Sequence, residues 1–467
     1  MATSTAGTLG SAIDTFAKQI RGDVIQPNSA DYDVARRVYN QMIDRRPAAI
    51  IGCQDATDVI AGVAFAREYG LDLSVRSGGH NVAGFATNDD GIVLDLASMN
   101  DVRIDPDRRV ARIGGGTMFG DLDRAAWDFG LATPDGIIST TGVSGLGLGG
   151  GFGHLSRRFG LVIDNLRAAD VVTADGRLVH ATAEENSDLY WAIRGGGGNF
   201  GVVTAMELDL HEVPTVYGGP IFYPASESER VMRFYREFMA SAPRDLSAFF
   251  AFHIAPPAPF VPEHLHGHTA CAIVVSYTGP LDGAEEALRP VREAAPVALD
   301  LAGPIPYPDL NSMFDDLLPH GLHHYWKADF VSELTDDAIA IHVEHGPNVP
   351  TVQSLMHLYP LDGAVHDVAS NGTAFSHRDV KFVHIIAGID ADAGAMPAHR
   401  DWVRAYWSAL HPHSLPGGYV NFLMDEGQDR VEATYRQNYG RLSRIKRTWD
   451  PANLFHMNQN ILPAVDS

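Results

Sequence analysis

Residues 136–153 read GIISTTGVSGLGLGGGFG, with eight glycines in eighteen positions. Glycine loses more backbone freedom on folding than any other residue, so this density suits neither a plain helix nor a plain strand. It suits a backbone pressed against something flat and large, or two chain segments packed very closely. Gly145-x-Gly147-x-x-Gly150 matches the dinucleotide fingerprint letter for letter. Its context does not, because no β-branched strand leads directly into it and it does not open the first βαβ unit. A nicotinamide site is set aside on that ground.

A second glycine turn lies upstream. The apolar run at 71–75 reads as a short buried strand and leads into Arg76-Ser77-Gly78-Gly79-His80-Asn81. Gly78 and Gly79 let the backbone take positive φ and approach a ligand closely. Successive N–H groups in such a turn form a concave anion site suited to a diphosphate. A neutral imidazole at the end of the turn is a nucleophile near neutral pH. The plainer alternative for His80 is a turn cap.

At 467 residues the chain is long enough for two domains. Its 58 acidic and 35 basic residues give a formal charge of −23, which argues against nucleic acid or an anionic membrane as partner. That acidity reads as a solvated surface. No apolar run is long enough to span a bilayer, and the first 22 residues lack the basic and apolar regions of a signal peptide. With only Cys53 and Cys271 there is no disulfide framework, and a cytoplasmic location is expected.

In order, the spacing predicts a helix over 31–44, a strand over 48–53 and a helix capped by Asp55 that ends at Gly70. A strand over 92–96, a hairpin at 105–107, a helix over 120–129 and a hairpin at Asp175-Gly176 follow. Strands at 248–254, 270–277 and 380–386 then alternate with helices at 226–239, 284–294 and 396–410, as in an antiparallel sheet covered by helices. His264-x-His266-x-His268 would put three imidazoles on one face of a strand, but a proline-rich loop context speaks against a metal site, and none is expected. Tyr325 and Trp326, within HHYWK, would wall an aromatic pocket, with ordinary core packing as the alternative.

Several blocks together resemble a known family. They are RSGGH at 76–80, GGGFGHLSRRFGL at 149–161 with Asp164-Asn165, DLYWAIRGG at 188–196, NFGVVT at 199–204 and Tyr419-Val420-Asn421-Phe422. In this order they resemble flavin oxidases with the vanillyl-alcohol-oxidase-type (PCMH-type) FAD domain, in the berberine-bridge-enzyme-like branch. That branch includes bacterial 6-hydroxynicotine oxidases and oxidases of natural-product pathways.

The resemblance implies an α+β protein with a two-subdomain FAD-binding domain and a substrate domain. It divides the chain into 1–212, 213–412 and a return of 413–467 to the FAD domain. It implies FAD bonded to His80, and to His80 alone, because Ile138 stands where some members carry a second linking cysteine. It places the cofactor against Arg76, Ser77, Gly78, Gly79, His80, Asn81, Gly84, Thr140, Thr141, Gly142, Gly145, Gly149, Gly150, Gly153, His154, Asn165, Gly201, Val203, Tyr419, Asn421 and Asn458.

Tyr419 is the expected base, assisted by Lys327 or Arg378, with a wall residue as the alternative. Thr141 is expected at the oxygen-reactive edge and Tyr325 over the flavin. The implied activity is oxidation of a small alcohol, amine or sugar-like molecule, with hydride passing to flavin N5 and O₂ reduced to hydrogen peroxide. A natural-product oxygenase or cyclase using an N5-oxide-type flavin near Thr141 is the alternative. A non-catalytic flavin binder is the third class. A monomer or homodimer is expected.

Overall fold

The computed structural model describes residues 2–213 and 215–465. Strands Ala49–Gly52, Ile92–Asp95 and Leu73–Arg76 form a parallel sheet, with Asp23–Ile25 antiparallel at one edge. Helix Ala56–Tyr69 crosses between the first two strands in sequence. Its start is fixed by Asp55, whose carboxylate accepts from Thr57 N and Asp58 N, and its end by Gly70 at φ 63°. Val59, Val63, Ile51 and Leu94 close the core between helix and sheet. The C-terminal end of Leu73–Arg76 delivers the turn that carries His80, and the carboxyl ends of parallel strands are where such sheets bind ligands.

A second, antiparallel sheet runs in the order Val102–Asp105, Val110–Gly114, Val202–Asp209, Leu166–Val172, Leu178–Ala181. Helix Tyr439–Trp449 packs on its core through Leu442 and Ile445. Lys446 of that helix is fully buried, with Nζ 2.7 Å from Asp450 Oδ2 and from Asn199 O. That contact ties the C-terminal helix to the Gly-rich segment around Asn199.

The third sheet has eight antiparallel strands, and its two faces do different things. Phe250, Phe252, Met356 and Leu358 point into a layer of helices, Ser228–Ser241, Asp336–His345 and Met396–Leu410 among them. Phe249, Ala251, Leu355 and Tyr359, one residue out of step, point the other way, toward Phe152 and Tyr419. The two-residue strand period therefore sorts core from site.

Two sequence expectations are corrected. The helix over 31–44 is confined to Tyr32–Ala35, because the chain beyond it is drawn onto strand His323–Val331. There Asn40 donates to Val82 O and His324 O and accepts from His324 N. The glycine run does hold a short helix, Val143–Leu148. A Cβ at Gly147 would stand 3.0 Å from the Val162 side chain, which would have to give by a few tenths of an ångström. The 264–268 histidines lie in a 3-10 turn and loop, in keeping with the prolines around them. Among the described residues no histidine, cysteine or acidic cluster is arranged to hold a metal, and no helix is long and apolar enough to cross a membrane.

Candidate active site

The His80 turn, the glycine run and the inner face of the eight-stranded sheet enclose one cavity. Gly78 approaches Gly142 so closely that a Cβ would lie 2.6 Å from the Gly142 nitrogen. Gly79 sits at φ 69°, a conformation that side-chain-bearing residues avoid. Among the described residues, the backbone N–H groups of Gly78, Gly79, His80 and Asn81 have no hydrogen-bond partner, and neither has the buried Ser77 hydroxyl. A run of four unpaired donors around a cavity is a cradle for an anion.

His80 stacks on Tyr39, ring centroids 4.1 Å apart, and meets His320 edge-on. Its Nε2 is 3.1 Å from Thr140 Oγ1. Burial, reinforced by His320 and His324, holds its pKa down at about 3. The ring is therefore neutral across the physiological range, and Nε2 is the nitrogen that meets the Thr140 hydroxyl.

Opposite, Tyr419 is buried with its phenolic oxygen accepting from Gly151 N at 2.8 Å and from Asn421 Nδ2 at 2.7 Å. Burial pushes its pKa up, and these two donors push back. The expected helpers are elsewhere. Lys327 pairs with Glu426 at 2.6 Å, and Arg378 pairs with Asp164 at 2.7 Å. Backbone and amide dipoles take the place expected for a cation.

The cavity wall includes Ser77, Gly78, Gly79, His80, Asn81, Thr141, Gly142, Gly145, Gly201, Val203, Tyr419, Asn421 and Asn458. Other residues expected at the cofactor stand behind the wall. Arg76 clasps Asp95 at 2.6 Å across the sheet. Thr140 reaches the site only through His80. Gly84, at φ 80°, packs on Ile43, and a Cβ at Gly153 would collide with Gly136 O at 2.1 Å. Gly149 and Gly150 lie under Asn421 and Tyr419, where a Cβ would come within 2.2 Å and 3.2 Å respectively. His154 is buried beside Phe249. Asn165 clamps the carbonyls of Phe159 and Leu161.

Tyr325 is a correction. Strand alternation turns Trp326 into the cavity wall and Tyr325 to the opposite face, where its hydroxyl accepts from Arg404 Nε at 3.0 Å. Tyr39, His357 and Tyr359 also belong to the site and carry no motif. Only the alternation of Leu355, His357 and Tyr359 along Leu355–Pro360 marks two of them.

Residues 47–182 match the family described as FAD binding domain, and residues 418–462 the one described as berberine and berberine like. An FAD-linked oxidoreductase of Dictyostelium discoideum is 31% identical over 457 residues, 97% of each chain. The (R)-6-hydroxynicotine oxidase of Paenarthrobacter nicotinovorans is 32% identical over 467 residues, covering 95% of this chain and 97% of its own. The chain belongs to the berberine-like FAD-linked oxidoreductases. The crystal structure of 6-hydroxy-D-nicotine oxidase from Arthrobacter nicotinovorans agrees in fold, with a TM-score of 0.85 and 29% identity over 95% of this chain and 98% of that one. Like other members of this family, the chain is an FAD-dependent oxidoreductase built from mixed helices and antiparallel sheets.

Proposed function

We propose that FAD occupies this cavity, bonded through His80 alone, and that the protein uses it to oxidise a small organic substrate, with O₂ as electron acceptor and hydrogen peroxide as product. One observation carries the reading: an unpaired amide cradle, a neutral imidazole and a buried tyrosine oxygen all open into a single cavity. Bound there, FAD supplies a hydride acceptor and a path for both electrons to O₂.

The residues supply everything else. The N–H groups of Gly78, Gly79, His80 and Asn81, with the Ser77 hydroxyl, hold the diphosphate. Thr140 fixes the His80 ring through Nε2 and leaves Nδ1 for the covalent bond. Ile138 lines the cavity where a second link would need a sulfur. Cys53 and Cys271 are both buried in sheet cores away from it. Tyr419, as its phenolate, takes the substrate proton, and Gly151 N–H and the Asn421 amide stabilise that phenolate before the proton arrives.

A second reading draws on Thr141, whose place in the cavity wall puts a hydroxyl within it. In that reading the protein is an oxygenase and Thr141 holds the oxygen species. The test is product analysis under labelled O₂ with the purified holoenzyme. Peroxide formed in step with substrate loss supports the oxidase, and label in the organic product supports the oxygenase.

A further inference from the structure

The sheet side of the cavity carries a polar chain that flavin binding does not use. On strand Leu355–Pro360, Leu355, His357 and Tyr359 face the cavity. His357 Nδ1 lies 2.6 Å from the Tyr359 hydroxyl, and His357 Nε2 lies 2.6 Å from His253 Nε2 on the neighbouring strand Leu246–Ile254. All three side chains are buried. Burial holds both imidazoles neutral, His253 near 4 and His357 well below its ordinary value, where His253 adds to the effect.

Two neutral imidazoles can share an Nε2···Nε2 contact in only two ways. If His357 donates, His253 must carry its own proton on Nδ1, and that nitrogen has no partner. A buried N–H would then be left unpaired, at the full desolvation cost of a donor. If His253 donates, its Nδ1 is a bare acceptor, and His357 carries its proton on Nδ1 and gives it to the Tyr359 oxygen. The second avoids that N–H but leaves His253 Nδ1 as an unpaired acceptor, so His253 does not choose between them. The Tyr359 hydroxyl keeps a free side in both: in the first it donates to His357 and can still accept, and in the second it accepts from His357 and can still donate.

The surrounding wall has a definite chemistry. Among the described residues no Asp, Glu, Lys or Arg lines the cavity. Phe152 sits between Tyr359 and Tyr419, at centroid distances of 5.4 Å and 4.6 Å, and 5.6 Å from Phe422. Trp326 lines the same wall, and its buried indole N–H has no partner among the described residues. Away from the amide cradle, such a wall strips water from a ligand without returning a counter-charge, which penalises ions. On the sheet side only Trp326, His357 and Tyr359 bring side-chain polar atoms to the lining, too few partners for a molecule with a hydroxyl on every carbon.

We propose that the substrate is an uncharged, mainly aromatic molecule bearing a hydroxyl group. Phe152, Phe422 and Trp326 bind its ring, and the Tyr359 hydroxyl, set by the His357–His253 pair, reads its oxygen. This rests on the cavity being the substrate's site, as proposed above. Tyr359 touches the ligand, and the two histidines act through it as positioning residues.

The test titrates the visible flavin spectrum of the anaerobic holoenzyme with para-hydroxybenzyl alcohol, its para-methyl analogue, xylobiose and protonated nicotine. The two neutral aromatics are expected to bind at least about tenfold tighter than the sugar or the cation. Tyr359→Phe, which keeps the ring stack, should weaken the para-hydroxy compound about tenfold and leave the para-methyl analogue unchanged. His357→Asn should do the same to a smaller extent, with flavin content and melting temperature as checks on folding. Tighter binding of xylobiose or the nicotine cation, equal losses for both aromatics in Tyr359→Phe, or no binding of any aromatic would overturn the proposal. Binding without bleaching of the flavin would uphold this recognition and overturn the oxidase reading instead.

Discussion

The phenolic oxygen of Tyr419 lies 2.8 Å from the backbone nitrogen of Gly151, a residue 268 positions away that has no room for a side chain. Gly151 sits at φ 74°, and a Cβ there would stand 2.3 Å from Val162. The last glycine of the GGG block is thus required where it stands, and it turns its N–H onto the proposed base. Tyr419→Phe is expected to lower the rate of flavin reduction by about 10²–10⁴-fold while covalent flavin content stays unchanged. Stopped-flow reduction of the variant measures this. A loss below threefold would make Tyr419 a wall residue.

Asn421 is the second donor to that oxygen and also donates to Leu146 O at 2.8 Å. Asn421→Leu should raise the pH needed for half-maximal reduction rate, because the phenolate loses one of its two donors. The pH profile of single-turnover reduction reads this shift. An unchanged profile with a uniformly lower rate would point to lost packing alone.

Thr141 separates the two oxygen chemistries. Under the oxidase reading, Thr141→Val keeps the volume in the cavity wall, and peroxide yield per substrate consumed is unchanged. Under the oxygenase reading the same change lowers oxygen incorporation into product. Peroxide assay beside mass spectrometry of the product distinguishes them.

Away from the site, Asp123 is fully buried with one oxygen accepting from Asn311 Nδ2 at 2.7 Å and the other unpaired. Burial raises its pKa far above the ordinary 3.8. The folded state therefore keeps a proton that the unfolded chain loses above about pH 4, so this group destabilises the fold progressively as pH rises from there. Asp123→Asn removes the titration. The melting temperature of the variant, relative to the parent, should climb between pH 5 and pH 8. A constant difference would contradict the assignment.

Lys446 tests the tie between the C-terminal helix and the Gly-rich segment. Lys446→Met leaves Asp450 buried without its cation and should cost about 3–5 kcal/mol, read by chemical denaturation. Lys446→Met with Asp450→Asn should recover part of that loss.

The sequence made the glycine turns, the covalent histidine candidate and the tyrosine legible, because each demands an unusual residue at a fixed place. Gly78 and Gly142 touch backbone to backbone, and nothing larger fits. The substrate side was not legible. Tyr39 looks helical from its neighbours, yet leaves the helix to stack on His80, because Asn40 is captured by a strand 284 residues further on. His357 and Tyr359 sit in an ordinary alternating strand and gain meaning only from the partner strand that carries His253. Tyr325 and Trp326 look equivalent until the pleat assigns them opposite faces.

The covalent bond is tested most directly by intact mass and visible absorbance of the acid-denatured protein, alongside His80→Ala. A mass gain of one FAD that survives denaturation in the parent and disappears in the variant is the predicted result. Flavin that leaves the parent freely on denaturation, or a mass gain retained in His80→Ala, would contradict the His80 link.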